Sequence, residues 1–343
     1  MKIRKIIFFL LALFIIVAGY CAWQLFGPTV NAPESNFFYI HTGSGYLQVK
    51  NDLKKEHIIK SDFWLDNVAK YAGYNKTVKP GKYKISKGMS VVNLVRMLRA
   101  GRQEPVNLVI TKIRTKEDLA KKIGNGFETD SISVIKFLNN NDSLLQFDVD
   151  TNRMMTMVIP NTYTFTWNTS LQKILKKLYN EEKKFWNTKR IAQAERIGLS
   201  PQEVYILASI VEEETNKQGD KGKIASVYLN RKRKGMRLAA DPTIKFAMKN
   251  FELKRIYTKY LDYPSPYNTY RNAGLPPGPI CTPSIKTIDA VLNMPETDYL
   301  FFVARADFSG YSDFATTYAE HLIYAKAYQQ ALDSLLRARQ ENQ

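Results

Sequence analysis

From Ile6 to Trp23 the chain runs without a charged side chain, and Lys2, Arg4 and Lys5 stand just before it. At 1.5 Å per residue, a helix of about this length is what the roughly 30 Å hydrocarbon core of a bilayer requires. Tyr20 and Trp23 lie near its far end, where amphipathic rings favour the membrane interface. The basic residues on the short leading side predict that this end stays in the cytoplasm and that the rest of the chain lies outside it. A cleaved signal would show a shorter apolar stretch and a small-x-small site. Gly19-Tyr20-Cys21-Ala22-Trp23 offers no such site, and Tyr20 is a poor neighbour for lipoprotein processing at Cys21. The expectation is a cytoplasmic tail at 1–5, one uncleaved transmembrane helix at 6–26, and a linker at 27–35 (GPTVNAPES) rich in Pro, Gly and small polar residues.

Beyond the linker, 45% apolar and 12% aromatic composition is that of an ordinary globular chain, long enough for one large domain or two modest ones. Cys21 and Cys281 are the two cysteines, so neither a disulfide framework nor a cysteine metal site can be built. Fifty basic against thirty-two acidic residues give a net charge of +18, which suits a polyanionic partner. With the chain outside the cytoplasm, nucleic acid is excluded as a partner, leaving lipid headgroups and acidic wall polymers.

Residues 36–104 read as a small α/β module. Phe37–Ile40 and Tyr83–Ile85 have strand character, Ser61 and Ser90 are candidate helix caps, and Gly73 and Gly101 are candidate stops. The stretch from Lys79 to Ser90 resembles the links between helices and strands in LysM-type glycan-binding modules, although a generic α/β module reads equally well. Next come a strand at Val106–Ile110, a helix capped by Thr115, a turn at Val158–Tyr163 and an amphipathic helix through Leu171, Ile174, Leu175 and Leu178. The fold class expected is α+β, with residues 105–343 as the larger domain.

The most informative segment is Ser200–Thr215, SPQEVYILASIVEEET. Ser200, Pro201 and Glu203 mark a helix start with a capping box, and the run Val204–Val211 is apolar or small almost throughout, which predicts a helix buried on most sides. Three glutamates close the run. Successive helical residues are rotated by about 100°, so Glu212 and Glu214 point to nearly opposite sides. Glu212 shares a face with Tyr205, Ala208 and Ser209, whose small side chains would leave room for a ligand. Glu214 comes after Leu207 and Ile210 and reads as a structural anion with a basic partner. The triplet is either a solvated helix end or the site of a general acid whose carboxyl is raised by desolvation.

A second helix from about Asp220 ends at Arg231-Lys232-Arg233-Lys234 before Gly235. Three segments beyond it read as non-helical groove wall: Ala240-Asp241-Pro242-Thr243, Tyr267-Asn268-Thr269-Tyr270 and Gly274-Leu275-Pro276-Pro277-Gly278-Pro279-Ile280. Tyrosines supply flat faces for sugar rings, and Asn and Thr can hydrogen-bond hydroxyl and acetamido groups. In order and spacing, ILASIVEEET, IASVYLNRKRKGMRL, ADPT, YNTY and GLPPGPI resemble the MltG (YceG-like) family of endolytic murein transglycosylases. The resemblance covers nearly the whole chain.

That resemblance implies a bacterial cytoplasmic-membrane enzyme that cleaves bonds from N-acetylmuramic acid to N-acetylglucosamine within nascent glycan strands, leaving 1,6-anhydro ends. It places the essential glutamate on Glu212, first as general acid and then as general base toward the sugar's own hydroxyl. Tyr267, Asn268, Tyr270, Asp241 and Thr243 are the expected substrate contacts. No cofactor or metal is implied; the histidines are His41, His57 and His321, with no HExxH pair. Peptidoglycan synthases or division proteins are expected partners. The sequence departs from the family pattern at Asn161, Ser312 and Leu322, which puts in question any assisting role for those positions. Two rivals remain: a hydrolase using a second carboxylate such as Asp241 near Glu212, and a non-catalytic wall-binding or division scaffold.

Overall fold

The computed structural model describes residues 2–341, and its chain divides into two compact units. One takes the chain up to Leu108 together with Ile123–Asp130 and Thr164–Leu171; the other takes Val109–Lys122, Ser131–Tyr163 and the chain from Gln172 onward. Short antiparallel strand pairs and many helices make a mixed α and β fold.

The first unit begins with α1 (Lys2–Phe26), whose Ile3–Phe26 stretch is long and apolar enough to cross a membrane and is not buried by the protein. Strand β1 (Phe37–Ile40) is followed by α2 (Tyr46–Lys55) and α3 (Asp62–Ala72), then β2 (Gly81–Lys84) and α4 (Val91–Ala100). β1 and β2 pair antiparallel, with Phe38 opposite Tyr83. Both face a core completed by Leu53, Leu65, Leu94 and Leu98. Ser90 caps α4 by accepting the Asn93 N–H, and Gly101 ends it at φ 69°, a left-handed conformation that a side chain would resist. Helix α2 had no marker in the sequence: its start at Gly45 carries no side-chain cap. Gly81 opens β2 two residues before the expected Tyr83.

Further along the chain, β3 (Val106–Val109), most of it in the first unit, leads to α5 (Lys116–Gly126), which begins in the second unit, and then to α6 (Ser131–Leu138) and α7 (Asn141–Leu144) of the second. The expected turn at 158–163 passes at Thr162 into β4 (Thr162–Phe165), which pairs with β3. α8 (Leu171–Phe185) and α9 (Thr188–Arg196) precede the glutamate-bearing α10 (Pro201–Glu214) and then α11 (Gln218–Arg233). The capping box of α10 is formed in full, and every residue from Val204 to Val211 is buried. α10 packs against α11, α12 (Asp241–Ala247) and α13 (Ile285–Leu292) around one core. An antiparallel hairpin of β5 (Phe301–Ala304) and β6 (Ser312–Ala315) and the long α14 (Tyr318–Glu341) complete the chain. One expectation is corrected: Asp241-Pro242-Thr243 is the first turn of α12 rather than irregular wall. Proline is tolerated there because the first helical N–H groups have no partner in any case.

Candidate active site

The three consecutive glutamates at the end of α10 meet three different environments. Glu212 forms a salt bridge with Lys221 at 3.0 Å, with side chains only 15% and 7% exposed. Its carboxylate also accepts hydrogen bonds from Ser284 at 3.1 Å and from Thr287. Desolvation pushes this carboxyl up, but the hydrogen bonds from Thr287 and Lys221 and the lysine's charge outweigh it and hold the group below its ordinary range. Glu213 takes Arg114 through both oxygens, at 3.1 and 3.0 Å, and Lys112 at 3.0 Å, with the same net lowering against desolvation.

Glu214 differs. It forms no salt bridge among the described residues, and its hydrogen-bond donor is the buried hydroxyl of Tyr228. The residue keeps an edge toward solvent, yet its carboxyl is surrounded closely enough that desolvation raises it to about 7. The Tyr228 bond opposes that rise, the charge of Asp241 adds to it, and Lys245 and Arg231 oppose it from farther off. The partner expected for Glu214 to be basic is a tyrosine hydroxyl, and the glutamate that holds a lysine is Glu212. The face expected to be open beside Glu212 is filled: Ser209 is fully buried, accepts the Ile280 N–H at 3.0 Å and donates to the Ile206 carbonyl. Tyr205 on the same face is spent on the Val158 carbonyl at 2.7 Å.

Two of the groove motifs meet on the Glu214 side, through Asp241 and Tyr270, while Ile280 of the third binds Ser209 on the Glu212 face. Tyr270 donates its hydroxyl to Asp241 at 2.5 Å, and both are within electrostatic reach of Glu214. Tyr267 is half-buried against Phe246, ring centres 4.7 Å apart. Asn268 and Thr243, expected as substrate contacts, are inside the protein. Asn268 donates to the Leu261 and Tyr263 carbonyls and accepts the Tyr270 N–H. Thr243 donates to the Ala240 carbonyl and touches Thr269. Their work is to fix the loop that presents Tyr267 and Tyr270. Gly278 is required by contact rather than by backbone angle: a Cβ there would come within 2.0 Å of the Asn152 carbonyl oxygen and 2.9 Å of the Tyr267 hydroxyl.

The sequence missed Tyr228 and Lys221. Both lie on α11, and an α-helical tyrosine or lysine gives no sign of which carboxylate it will meet. Of the departures, Asn161 is exposed and accepts the Thr162 N–H, and Leu322 is exposed. The Ser312 N–H donates to Asp220 at 2.7 Å. His321 lies stacked on Phe301 at 5.4 Å, with desolvation and the charge of Arg231 holding it below its ordinary range.

Helix α10 thus ends in three carboxyls with separate partners, next to the segment that carries Asp241 and Tyr270. The chain belongs to the YceG-like family, which matches residues 38–327. It is 30% identical over 298 residues to the endolytic murein transglycosylase of Bacillus subtilis, covering 82% of this chain and 81% of that one. It is 27% identical over 310 residues to the endolytic murein transglycosylase of Streptococcus pneumoniae (strain D39), of which it spans 54%. A crystal structure of a yceG-like protein from Listeria monocytogenes superposes with a TM-score of 0.55 at 27% identity, covering 83% of this chain and 97% of that chain.

Proposed function

We propose that this chain is an endolytic murein transglycosylase, cutting within glycan strands of peptidoglycan to leave 1,6-anhydro-muramic ends, with Glu214 rather than Glu212 as the proton carrier. The observation that carries the reading is the environment of Glu214: a carboxyl raised to about 7 and held by one tyrosine. In its neutral form Glu214 donates a proton to the leaving glycosidic oxygen. The resulting carboxylate then takes the proton of the muramic acid's own primary hydroxyl, whose oxygen closes the anhydro ring as the bond to the leaving sugar breaks. One carboxyl serves both steps because no water has to be activated. Glu212 is ion-paired to Lys221, and that charge and its hydrogen bonds hold its carboxyl below the ordinary range.

Tyr267 and Tyr270 present rings to the sugars, and Asp241 orients Tyr270. The LysM-like assignment of the first unit is supported by its strand–helix–helix–strand order and antiparallel β1–β2 pair. With α1 in the cytoplasmic membrane and its start inside, the enzyme would act on strands as they leave the synthases, its nearest protein partners. The proximity of Asp241 to Glu214 favours one rival, hydrolysis with Asp241 activating water.

Mass spectrometry of products from uncrosslinked strands separates these readings. Internal fragments with anhydro ends are expected, lost by about 100-fold or more in Glu214→Gln. Reducing ends would identify a hydrolase. Glu212→Gln leaves Lys221 buried without its partner, which costs about 3–5 kcal/mol, so Glu212→Gln with Lys221→Met is the variant to compare. Activity retained in that double variant assigns Glu212 to structure; activity lost in it while Glu214→Gln still cleaves would return the proton to Glu212.

A further inference from the structure

The first unit carries a site that glycan cleavage does not use. The last turn of α1 packs against α4, and the ring of Tyr20 meets the edge of Trp64 on α3 at 6.4 Å. Between them runs a groove of about 580 Å³, lined on its apolar side by Leu25, Phe26, Trp64, Val68 and Val92. At one end Arg96 and Arg99 line both this groove and a neighbouring cavity of about 740 Å³, where Lys84, Arg102 and Glu104 join them. None of the three arginines forms a salt bridge among the described residues. Phe63 and Tyr71 on α3 are 63% and 96% exposed, and Tyr71 lines the groove with Phe26. Residues 36–104 hold thirteen Lys and Arg against five Asp and Glu.

An apolar slot that opens beside the end of a membrane-crossing helix and finishes in unpaired guanidinium groups has the chemistry of one lipid molecule: hydrocarbon along the slot, phosphate at the arginines. We infer that this groove binds one anionic phospholipid of the outer leaflet. An acyl chain lies along Trp64, Val68 and Val92, and the headgroup phosphate is held by Arg96 and Arg99. The charge of the rim, with Lys84 and three arginines against Glu104, and its continuity with α1 favour lipid over a protein helix. The inference rests on α1 spanning the bilayer. Its consequence is orientation: a lipid held between α1 and α4 adds to the ties that Val30 and Asn31 already make to Met89 and Ile58, and fixes the first unit against the membrane surface.

The full-length chain, reconstituted in nanodiscs of equimolar phosphatidylcholine and phosphatidylglycerol, is released into native mass spectrometry to read retained lipid. One phosphatidylglycerol is expected, in preference to phosphatidylcholine. Arg96→Gln with Arg99→Gln should lower that preference about tenfold or more, and Val92→Trp, which fills the slot, should abolish retention. Equal retention of the two lipids, retention unchanged in both variants, stronger retention of an isoprenoid phosphate, or a co-purifying membrane protein occupying the groove would each overturn the assignment. Flotation of the same chain with vesicles separates the two failures. A chain that does not float refutes the membrane-spanning reading and the lipid site together, whereas one that floats without selectivity refutes the lipid site alone.

Discussion

At the scale of single residues, three adjacent glutamates on one helix carry three different burdens, and their partners decide which. Because Glu214 titrates at about 7 while its ordinary value is 4.5, it is neutral in the fold over that interval and anionic in the unfolded chain. Its contribution to stability is therefore full below the unfolded value and falls away as pH rises through 7. Glu214→Gln, which stays neutral, should exceed the wild type in stability above pH 7 by about 1–2 kcal/mol after discounting for its solvent-facing edge. Denaturation at pH 5 and pH 8 checks this, and equal differences at both would count against it. For catalysis the same titration predicts a rate that falls about tenfold per pH unit above about 7. The Tyr228 hydroxyl lowers that titration point, so Tyr228→Phe should move the falling limb to higher pH while reducing kcat. A purely structural tyrosine would change the rate without moving the limb.

At the scale of elements, α10 depends on what lies across it. Its start is written locally in Ser200, Pro201 and Glu203, and Ser200→Ala should cost about 1 kcal/mol, read as a lowered Tm. Its far end depends on distant chain. The Thr282 N–H binds the Ile113 carbonyl at 2.7 Å, and the Ile113 N–H binds the Thr282 hydroxyl at 2.8 Å, joining two segments next to Arg114 and Ser284, which serve Glu213 and Glu212. Gly278 holds the proline-rich loop against Asn152 and Tyr267. Gly278→Ala must displace the Asn152 backbone, so cleavage should fall at least tenfold with the helical circular dichroism unchanged. Activity within twofold of wild type would show that the loop has slack.

At the scale of the whole molecule, charge and anchor set where the chain works. Removing residues 1–26 should leave cleavage of strands in solution and abolish flotation with vesicles, and in cells the strands should lengthen. Unchanged strand length would mean that membrane attachment does not govern which strands are cut. The +18 charge predicts that wall binding weakens as the Debye length shrinks from about 10 Å at 0.1 M salt to about 3 Å at 1 M.

What the sequence determined by itself was everything that rests on neighbours along the chain. The apolar run of α1, the capping box of α10, the stop at Gly101 and the continuous burial of Val204–Val211 all come from side chains within a turn or two of one another. So does the family, because its motifs are local strings. Which glutamate meets which partner was not local. The 100° rotation along α10 separates Glu212 from Glu214 but does not say what each face meets. That was decided by Lys221, Ser284 and Thr287 closing over Glu212, and by Tyr228, Asp241 and Tyr270 surrounding Glu214. A carboxyl's pKa is set by the charges, donors and water within a few ångströms, and folding brings those groups from positions up to 75 residues away.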